Sequence, residues 1–408
     1  MRVRERDCRY LDSSFLSITR MAEKEANVAV VDLGTSSIKV GLQGDDTPRD
    51  IIPTVVGYPA GLTAHIPGQD DSLEACCGSK ALEAKGLLRL KYPLRRGVCE
   101  TKEDLENLGK VLKVAHYDSL SISPDETNFV ITVPALCSWK HLKNITNHYL
   151  EECKAPSIAF HNQGVLTMMG LYARTTGVFV DCGHGMTQTV PIFGGYALPC
   201  AMQRTNLAGA DLDDYMRRLL MQEGRTFETG AERALVREIK ESGSVFVSDE
   251  EFNMATSKPI DPKPVELPDG SKVKLKMSLT QSQAMCAEAL FNPEIIGRQM
   301  GGIQHSVVSA IEACPMDIRG ELVKDIHVSG GTSMLEGFGE RLNAEIQKLL
   351  PHADGLKVHE KETRQMAVFQ GAAAMAEVGE QDENFWITSK EYSEHGENIV
   401  YRKGRGLL

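Results

Sequence analysis

The chain contains 408 residues, of which 42% are hydrophobic and 25% charged, a composition that excludes wholesale disorder, a collagen-like repeat and a continuous coiled coil. Lys and Arg number 45 against 56 Asp and Glu, and the net charge of -11 disfavours nucleic acid as the main ligand, because phosphate contacts need a basic surface. The ten cysteines are spaced irregularly and form no CxxC pair, so the sequence favours neither a disulfide framework nor a zinc site.

Residues 1–21 precede the first predicted strand, and we interpret them as a disordered N-terminal extension outside the fold. They contain no apolar run of the kind that a secretory signal needs, and their acidic residues argue against a transit peptide. No segment of the chain reaches the length of about 18 apolar residues that indicates a membrane span. The default expectation is a reducing compartment, the cytosol or the nucleus.

Two segments of the chain predict the same β-hairpin. Residues 28–31 are an apolar, β-branched run, residues 32–37 (DLGTSS) form a polar turn, and residues 38–42 alternate like a second strand. Residues 177–190 repeat this order, with an apolar strand, Asp-Cys-Gly at 181–183, a small polar turn and another strand. The repetition predicts an internal duplication of one nucleotide-binding half.

The rest of the chain alternates between strands and helices. An apolar run at 129–134 predicts a buried strand, and a strand at 326–329 ends in the paired glycines 330–331. Helical spacing is found at residues 139–153, 212–223, 231–241 and 338–349. The alternation is typical of an α/β protein.

Three regions have weak periodicity. Residues 57–80 and 255–283 are interpreted as exposed insertions, the second with a hairpin turn at 268–270. The mixed charges of residues 357–364 predict a surface loop.

Each Asp-x-Gly turn has the chemistry of a phosphate site. Its carboxylate lies at the C-terminal end of a strand, where α/β sheets bind ligands, and Gly34 lets backbone N–H groups approach a phosphate closely. Lys39 adds a positive charge. We expect Asp32 and Asp181 to face each other across the duplicated halves, where paired carboxylates suit Mg²⁺. The chain contains no GxxxxGK[ST] sequence, which excludes a P-loop, so a triphosphate is predicted between the two hairpins.

From Val28 to Lys403 the sequence resembles actins and actin-related proteins. The resemblance is carried by DLGTSSIKVGLQGDDTPRDIIPTVVGYP, LKYPLRRGV, RTTGVFVDCGHGMTQTVPIFGGYALPCAMQRTNLAGADLDDYM, GAERALVREIKES, VSGGTSMLEGFGERL and FWITSKEYSEHGENIVYRK. It implies the duplicated α/β ATPase fold that actin shares with Hsp70 and sugar kinases, with two lobes of two subdomains each around a nucleotide cleft.

The resemblance also implies how the chain is divided. The expected subdomains are 22–53, 91–172 and 366–408 (subdomain 1), 54–90 (subdomain 2), 173–208 and 301–365 (subdomain 3), and 209–300 (subdomain 4).

A nucleotide site follows from the resemblance. It implies ATP or ADP with Mg²⁺ or Ca²⁺, the cation being held by Asp32 and Asp181. Gln163 matches the glutamine that positions the attacking water in actin, and Gln188 is the second catalytic candidate. The implied nucleotide contacts are Gly34, Thr35, Ser36, Ser37, Lys39, Gly183, His184, Gly185, Met186, Arg237, Lys240, Glu241, Gly330, Gly331, Thr332, Ser333, Met334 and Arg364.

Two departures from the family pattern flank the expected γ-phosphate. His184 stands where actins have a second acid, and Gln188 stands where they have a histidine that can relay a proton. General acid-base help is worth about 10² to 10⁴ in rate, so we expect slow hydrolysis or none. The alternative is that Gln188 orients water well enough for ordinary turnover.

Three functions are compatible with the sequence. The first is a divergent actin-like ATP-binding protein in cytoskeletal assembly, whose partners are itself, actin, actin-binding proteins or other subunits of a complex. The second is a non-polymerising actin-related subunit of a nuclear chromatin-remodelling complex or of a vesicle- or membrane-organising complex. The third, a kinase or chaperone ATPase of the same fold, is disfavoured because those families lack the other matching segments. The expected location is the cytoplasm and cytoskeleton, with the nucleus as an alternative, and neither direct sequence-specific nucleic-acid binding nor a membrane span is expected.

Overall fold

The structure is a computed structural model that describes residues 27–59, 75–221, 227, 229–246, 248, 251–254, 265–266, 272–273, 279–379 and 384–404. None of the helices in these ranges is long and apolar enough to cross a membrane. The predicted extension at 1–21 lies outside the described residues.

A six-stranded sheet is built around the first predicted hairpin. Its strands, in their order across the sheet, are β17 (Ile387–Thr388), β8 (Ser157–Asn162), β7 (Asn128–Val133), β1 (Val28–Leu33), β2 (Ser37–Leu42) and β3 (Asp50–Pro53). Strands β1 and β2 pair antiparallel, which confirms the hairpin, while β1, β7 and β8 run parallel. Every residue of β1 is buried, as its continuous apolar run predicts.

The second hairpin is the centre of another six-stranded sheet. The path is β11 (Tyr196–Ala197), β10 (Thr187–Phe193), β9 (Gly177–Cys182), β15 (Ile326–Ser329) and β16 (Val358–His359), with β12 (Gln203–Thr205) paired to β10. Strands β9 and β10 are antiparallel, and β9, β15 and β16 are parallel. The central pairing of the first sheet therefore recurs, as an internal duplication predicts.

Two small sheets complete the strands. One contains β5 (Cys76–Cys77), β4 (Val56–Pro59) and β6 (Leu88–Lys91), and the other contains β13 (Val265–Glu266) and β14 (Lys272–Val273).

The described ranges also contain the helices. They are α1 (Ser79–Glu83), α2 (Lys102–Lys113), α3 (Trp139–Thr146), α4 (Gln163–Leu166), α5 (Gly209–Leu220), α6 (Gly230–Glu241), α7 (Leu279–Glu288), α8 (Ile303–Glu312), α9 (Met316–Leu322), α10 (Phe338–Leu349), α11 (Ala367–Gly379), α12 (Ser389–His395) and α13 (Glu397–Lys403). The helix predicted at 139–153 continues past α3 as a π-helical segment, Asn147–Glu152.

The interpretation of residues 57–80 as an exposed loop is wrong for its described part, which contains strand and helix. Val55, Cys76, Ala81 and Leu88 form a small core between β4, β5, β6 and α1. Each segment contributes only one or two apolar side chains, so no single segment shows a period. The predicted loop at 357–364 likewise contains β16, and the turn predicted at 268–270 lies outside the described residues, between β13 and β14, which pair antiparallel.

The two large sheets have separate cores with a third cluster between them. Phe179 and Val190 of the second sheet pack with Ala135, Met168 and Val368 from segments around the first. The subdomain boundaries given above stay predictions.

Candidate functional site

The two predicted carboxylates occupy equivalent positions in the two hairpins. Asp32 lies one residue before the end of β1, opposite Lys39 on β2. Asp181 lies one residue before the end of β9, opposite Gln188 on β10. Both acids therefore lie at the C-terminal end of the first strand of their hairpin, next to the turn.

A cleft of about 410 Å³ lies between the hairpins. The predicted site residues that line it are Asp32, Gly34, Thr35, Ser36, Ser37, Lys39, Gln163, Asp181, Gly183, His184, Gly185, Met186, Arg237, Lys240, Glu241, Gly330, Gly331, Thr332 and Met334. Residues that the sequence did not indicate also line it, namely Leu33, Ile51, Gly97, Pro134, Ser329, Leu335, Gln365, Met366 and Val368. Three predicted residues, Gln188, Ser333 and Arg364, do not line the cleft.

Arg364 does not line the cleft, and backbone carbonyls hold its guanidinium, so its contact with the base stays a prediction. Its Nη2 donates to the carbonyl of Ser333 at 2.8 Å, and its Nη1 donates to the carbonyl of Lys361 at 3.0 Å. Gln365 and Met366, which follow in the same 3₁₀ turn, face the cleft instead. Ser333 is fully buried and donates its hydroxyl to the carbonyl of Gly330.

Asp32 is held by three side chains. Lys39 Nζ lies 3.0 Å from Oδ2, while Oδ1 accepts from Thr132 Oγ1 at 2.7 Å and from Gln163 Nε2 at 3.4 Å. The carboxylate is almost fully buried. Its orientation is therefore set before any ligand enters.

Among the described residues, no lysine or arginine forms an ion pair with Asp181 as Lys39 does with Asp32. The pKa of Asp181 is raised to about 6, mainly by burial and also by the negative charge of Asp32, while the Gln188 amide and the charge of Lys39 act in the opposite direction. Two buried acids with a single lysine between them leave a deficit of positive charge. Hard oxygen ligands with this charge fit Mg²⁺ or Ca²⁺.

A backbone N–H fixes the orientation of both buried amides. Ala135 N donates to Gln188 Oε1 at 2.7 Å, which leaves Gln188 Nε2 to donate to Gln163 Oε1 at 2.6 Å and to Asp181 Oδ2 at 3.1 Å. Gln163 must then present its own NH₂ group to Asp32. Gln188 is completely buried behind the cleft wall, and its NH₂ group donates a hydrogen bond to the carbonyl oxygen of Gln163.

His184 belongs to a charged cluster at the other end of the cleft. Burial, together with the positive charge of the adjacent Arg237, lowers the pKa of His184 to about 4, so the ring is neutral at pH 7. Arg237 Nη2 lies 3.2 Å from His184 Nε2, and Nη1 donates to Ser36 Oγ at 3.3 Å. Arg237 on α6 thus reaches the first hairpin.

Asp213 is a site residue that sequence reasoning missed. This α5 side chain pairs with Lys240 Nζ at 2.6 Å and with Arg237 Nε at 3.3 Å. The two basic side chains come from α6, so only the packing of the helices brings the acid to them. Asp213 holds both cations at the cleft wall.

The glycine turn after β15 has a conformation that only glycine adopts easily. Gly330 has φ of 98°, and a Cβ there would lie 2.3 Å from the carbonyl oxygen of Cys182 and 2.7 Å from Asp181 Oδ1. A Cβ on Gly331, in contrast, would meet nothing within 4 Å. The backbone of 330–331 therefore forms a bare wall that a ligand can approach closely.

The comparison with known protein families gives one result. A family model described as Actin matches residues 23–405. The match includes both hairpins and the glycine turn.

Proposed function

This chain belongs to the actin family and has its α/β ATPase fold, and from that premise we propose that it binds ATP or ADP with Mg²⁺ or Ca²⁺ in the cleft. The observation that supports this proposal most directly is the placement of Asp32 and Asp181 at equivalent positions of two hairpins that line one cleft. The bare glycine wall at 330–331 fits the same ligand, because a nucleotide needs close approach to the backbone.

The residues divide the work of binding. Asp32 and Asp181 hold the cation through its waters, and the bound cation neutralises phosphate charge. Lys39 and the N–H groups after Gly34 and Gly183 bind the β- and γ-phosphates. Arg237, Lys240 and Glu241 contact the ribose and base.

We propose that hydrolysis is slow or absent. Neither Gln163 nor Gln188 can accept a proton at neutral pH, and the carbonyl oxygen of Gln163 already accepts a hydrogen bond from Gln188. A water in front of the γ-phosphate would therefore lack a general base among these two residues. The enzyme activity is at most that of a slow ATPase.

The cellular role that we propose is cytoskeletal assembly in the cytoplasm, through self-association, through actin and its binding proteins, or as a complex subunit. Sedimentation of the full chain with Mg-ATP tests self-association. A pellet above a critical concentration supports polymerisation. If the chain stays in the supernatant at all concentrations, the non-polymerising subunit of a nuclear or membrane-organising complex becomes the better description.

Equilibrium titration with a fluorescent ATP derivative in excess Mg²⁺ tests the nucleotide site. Lys39→Met removes a charged hydrogen-bond donor to phosphate, worth about 1.5–3 kcal/mol, and should weaken binding roughly 10- to 100-fold. Lys102→Met, at a side chain 90% exposed on α2, is the matched control and should bind like the wild type. Equal affinity of the two variants would place the nucleotide elsewhere.

A further inference from the structure

A cluster of two histidines and an aspartate lies at the edge of the second sheet, outside the residues that line the cleft. Asp325 immediately precedes β15 and His327 is two residues further on, so the alternation of the strand puts both on one face. The parallel register of β15 and β16 places His359 directly beside His327. The local backbone thus brings three potential metal ligands together.

The ligand atoms of this cluster converge on one oxygen. His327 Nε2 lies 3.0 Å from Asp325 Oδ1, and His359 Nε2 lies 3.1 Å from the same atom. All three ligand atoms lie within 4.8 Å of one another. In a tetrahedral site with bonds of about 2.0–2.1 Å, neighbouring ligand atoms are about 3.3 Å apart, so the two distances to Asp325 Oδ1 need to change by only a few tenths of an ångström.

We propose that Asp325, His327 and His359 bind one Zn²⁺ ion, with the fourth position open to water. Two imidazoles and one carboxylate are ligands that zinc prefers, whereas Mg²⁺ prefers oxygen ligands alone. The site is separate from the carboxylate pair in the cleft and does not depend on the function proposed for that cleft.

The surroundings of the cluster orient the ligands. Arg174 Nε lies 3.6 Å from Asp325 Oδ2, which leaves Oδ1 directed at the two rings. The ring of Tyr172 packs on His327 with centroids 4.1 Å apart, and within the described part of the chain both the Tyr172 hydroxyl and His327 Nδ1 are buried without a hydrogen-bond partner. The polar partner that the described residues give the His327 ring is Asp325, which faces Nε2, the proposed ligand atom. Arg174 is 61% exposed, so solvent screens most of its repulsion toward a cation.

One movement completes the site. The His327 and His359 rings are stacked, with centroids 4.7 Å apart and ring planes at 11° to each other, so their Nε2 lone pairs lie in nearly parallel planes. Coordination by both rings requires one of them to rotate. His327 is 4% exposed and confined, whereas the side chain of His359 is 28% exposed, so His359 can rotate and solvent can supply the fourth ligand.

Zinc titration of the full chain tests the proposal. The protein is stripped with a chelator and kept in excess Mg²⁺, and Zn²⁺ is then added in competition with a chromophoric chelator. The wild type should bind one more zinc ion per chain than His359→Ala, whose affinity at this site should fall by more than about tenfold. Asp325→Asn, which keeps the side-chain shape, should show the same loss. His352→Ala, at an exposed histidine seven residues upstream of His359, is the control and should bind as the wild type does.

Circular dichroism of each variant verifies that loss of zinc binding is not loss of folding. Co²⁺ is the second probe, because its visible spectrum separates nitrogen and oxygen ligands from the thiolates of the cysteines. A wild-type Co²⁺ spectrum that lacks thiolate charge transfer and is lost in folded His359→Ala supports the site. Equal zinc affinity in wild type and His359→Ala, absence of zinc binding in the wild type, or loss of binding in His352→Ala overturns it.

Discussion

Replacing Gln188 with histidine tests whether the buried pair of amides is what keeps hydrolysis slow. The Gln188 amide has three partners, with Oε1 accepting from Ala135 N and Nε2 donating to Gln163 Oε1 and Asp181 Oδ2. A neutral imidazole offers one acceptor and one donor. Its donor can keep the contact with Asp181, but its acceptor nitrogen can take a proton from water only if it gives up the Ala135 contact, so the hydrogen bonds with Ala135 and Gln163 are lost.

The size of each effect follows from these contacts. Two lost hydrogen bonds cost about 2 kcal/mol, which lowers the Tm by about 2 °C in a chain of 408 residues, whose unfolding entropy is about 2.1 cal/mol/K per residue. If the imidazole keeps the contact with Asp181, the carbonyl oxygen of Gln163 is released for the attacking water. The ring also supplies the missing proton acceptor, so phosphate release should accelerate by about 10² to 10⁴.

Phosphate release from the Mg-ATP complex, measured in a single turnover, is the assay. Gln188→Met is the matched control, because it also frees Gln163 but introduces no base, and it should stay near the wild-type rate. Thermal unfolding establishes that both variants are folded at the assay temperature. The reasoning is refuted if the two variants release phosphate equally fast, or if the wild type already matches the histidine variant.

Three further predictions concern stability and binding. Gly330→Ala should lower the free energy of unfolding by about 1–3 kcal/mol, because the residue has a positive φ and the added methyl group clashes, whereas Gly331→Ala should change it by less than about 0.5 kcal/mol. Urea unfolding compares the two variants, and equal losses of stability would contradict the predicted strain at Gly330. Arg237→Ala should weaken ATP binding about tenfold, because it removes a cation at the cleft, whereas Arg233→Ala, at an exposed side chain one turn earlier on α6, should leave the affinity unchanged. Equal ATP affinities of the two variants in the fluorescent titration would count against a role of Arg237 in binding. Burial lowers the pKa of His141 to about 4, so as the pH falls the histidine is protonated in the unfolded chain before it is protonated in the folded one. Up to about 3 kcal/mol of stability is therefore lost between about pH 6.5 and 4, and the pH dependence of urea unfolding should be flatter in His141→Gln.

The hairpins could be predicted from the sequence because their signals are local. An apolar β-branched run, an Asp-x-Gly turn and an alternating second strand are adjacent in the chain, and the repetition of this order at 177–190 reinforces the pattern. The same local code located Asp32, Asp181 and the glycine turn at 330–331. Their positions at one cleft followed from the duplication.

The residues that sequence reasoning missed depend on contacts between distant segments. Asp213 reaches Arg237 and Lys240 only because α5 packs against α6, and no spacing in the chain indicates that partnership. Gln365 was not predicted to line the cleft, because no local pattern distinguishes it from its neighbours in the 3₁₀ turn. His359 was placed in a surface loop because its neighbours are charged, although two residues suffice for a strand at the edge of a sheet.

One difference between the two hairpins, Lys39 in the first and Gln188 at the equivalent position of the second, predicts how pH affects cation binding. Lys39 neutralises Asp32, but the equivalent Gln188 brings no charge to Asp181, whose pKa burial raises to about 6. Below that pH a proton competes with Mg²⁺ for the Asp181 carboxylate, so the Mg²⁺ affinity of the chain should fall as the pH decreases through 6. Calorimetric titration with Mg²⁺ from pH 5 to 7.5 measures this dependence, and Asp181→Asn should bind more weakly with little change across the range. A wild-type affinity that stays constant from pH 7.5 to 5 would show that Asp181 remains ionised throughout, and the argument from the missing lysine would fail.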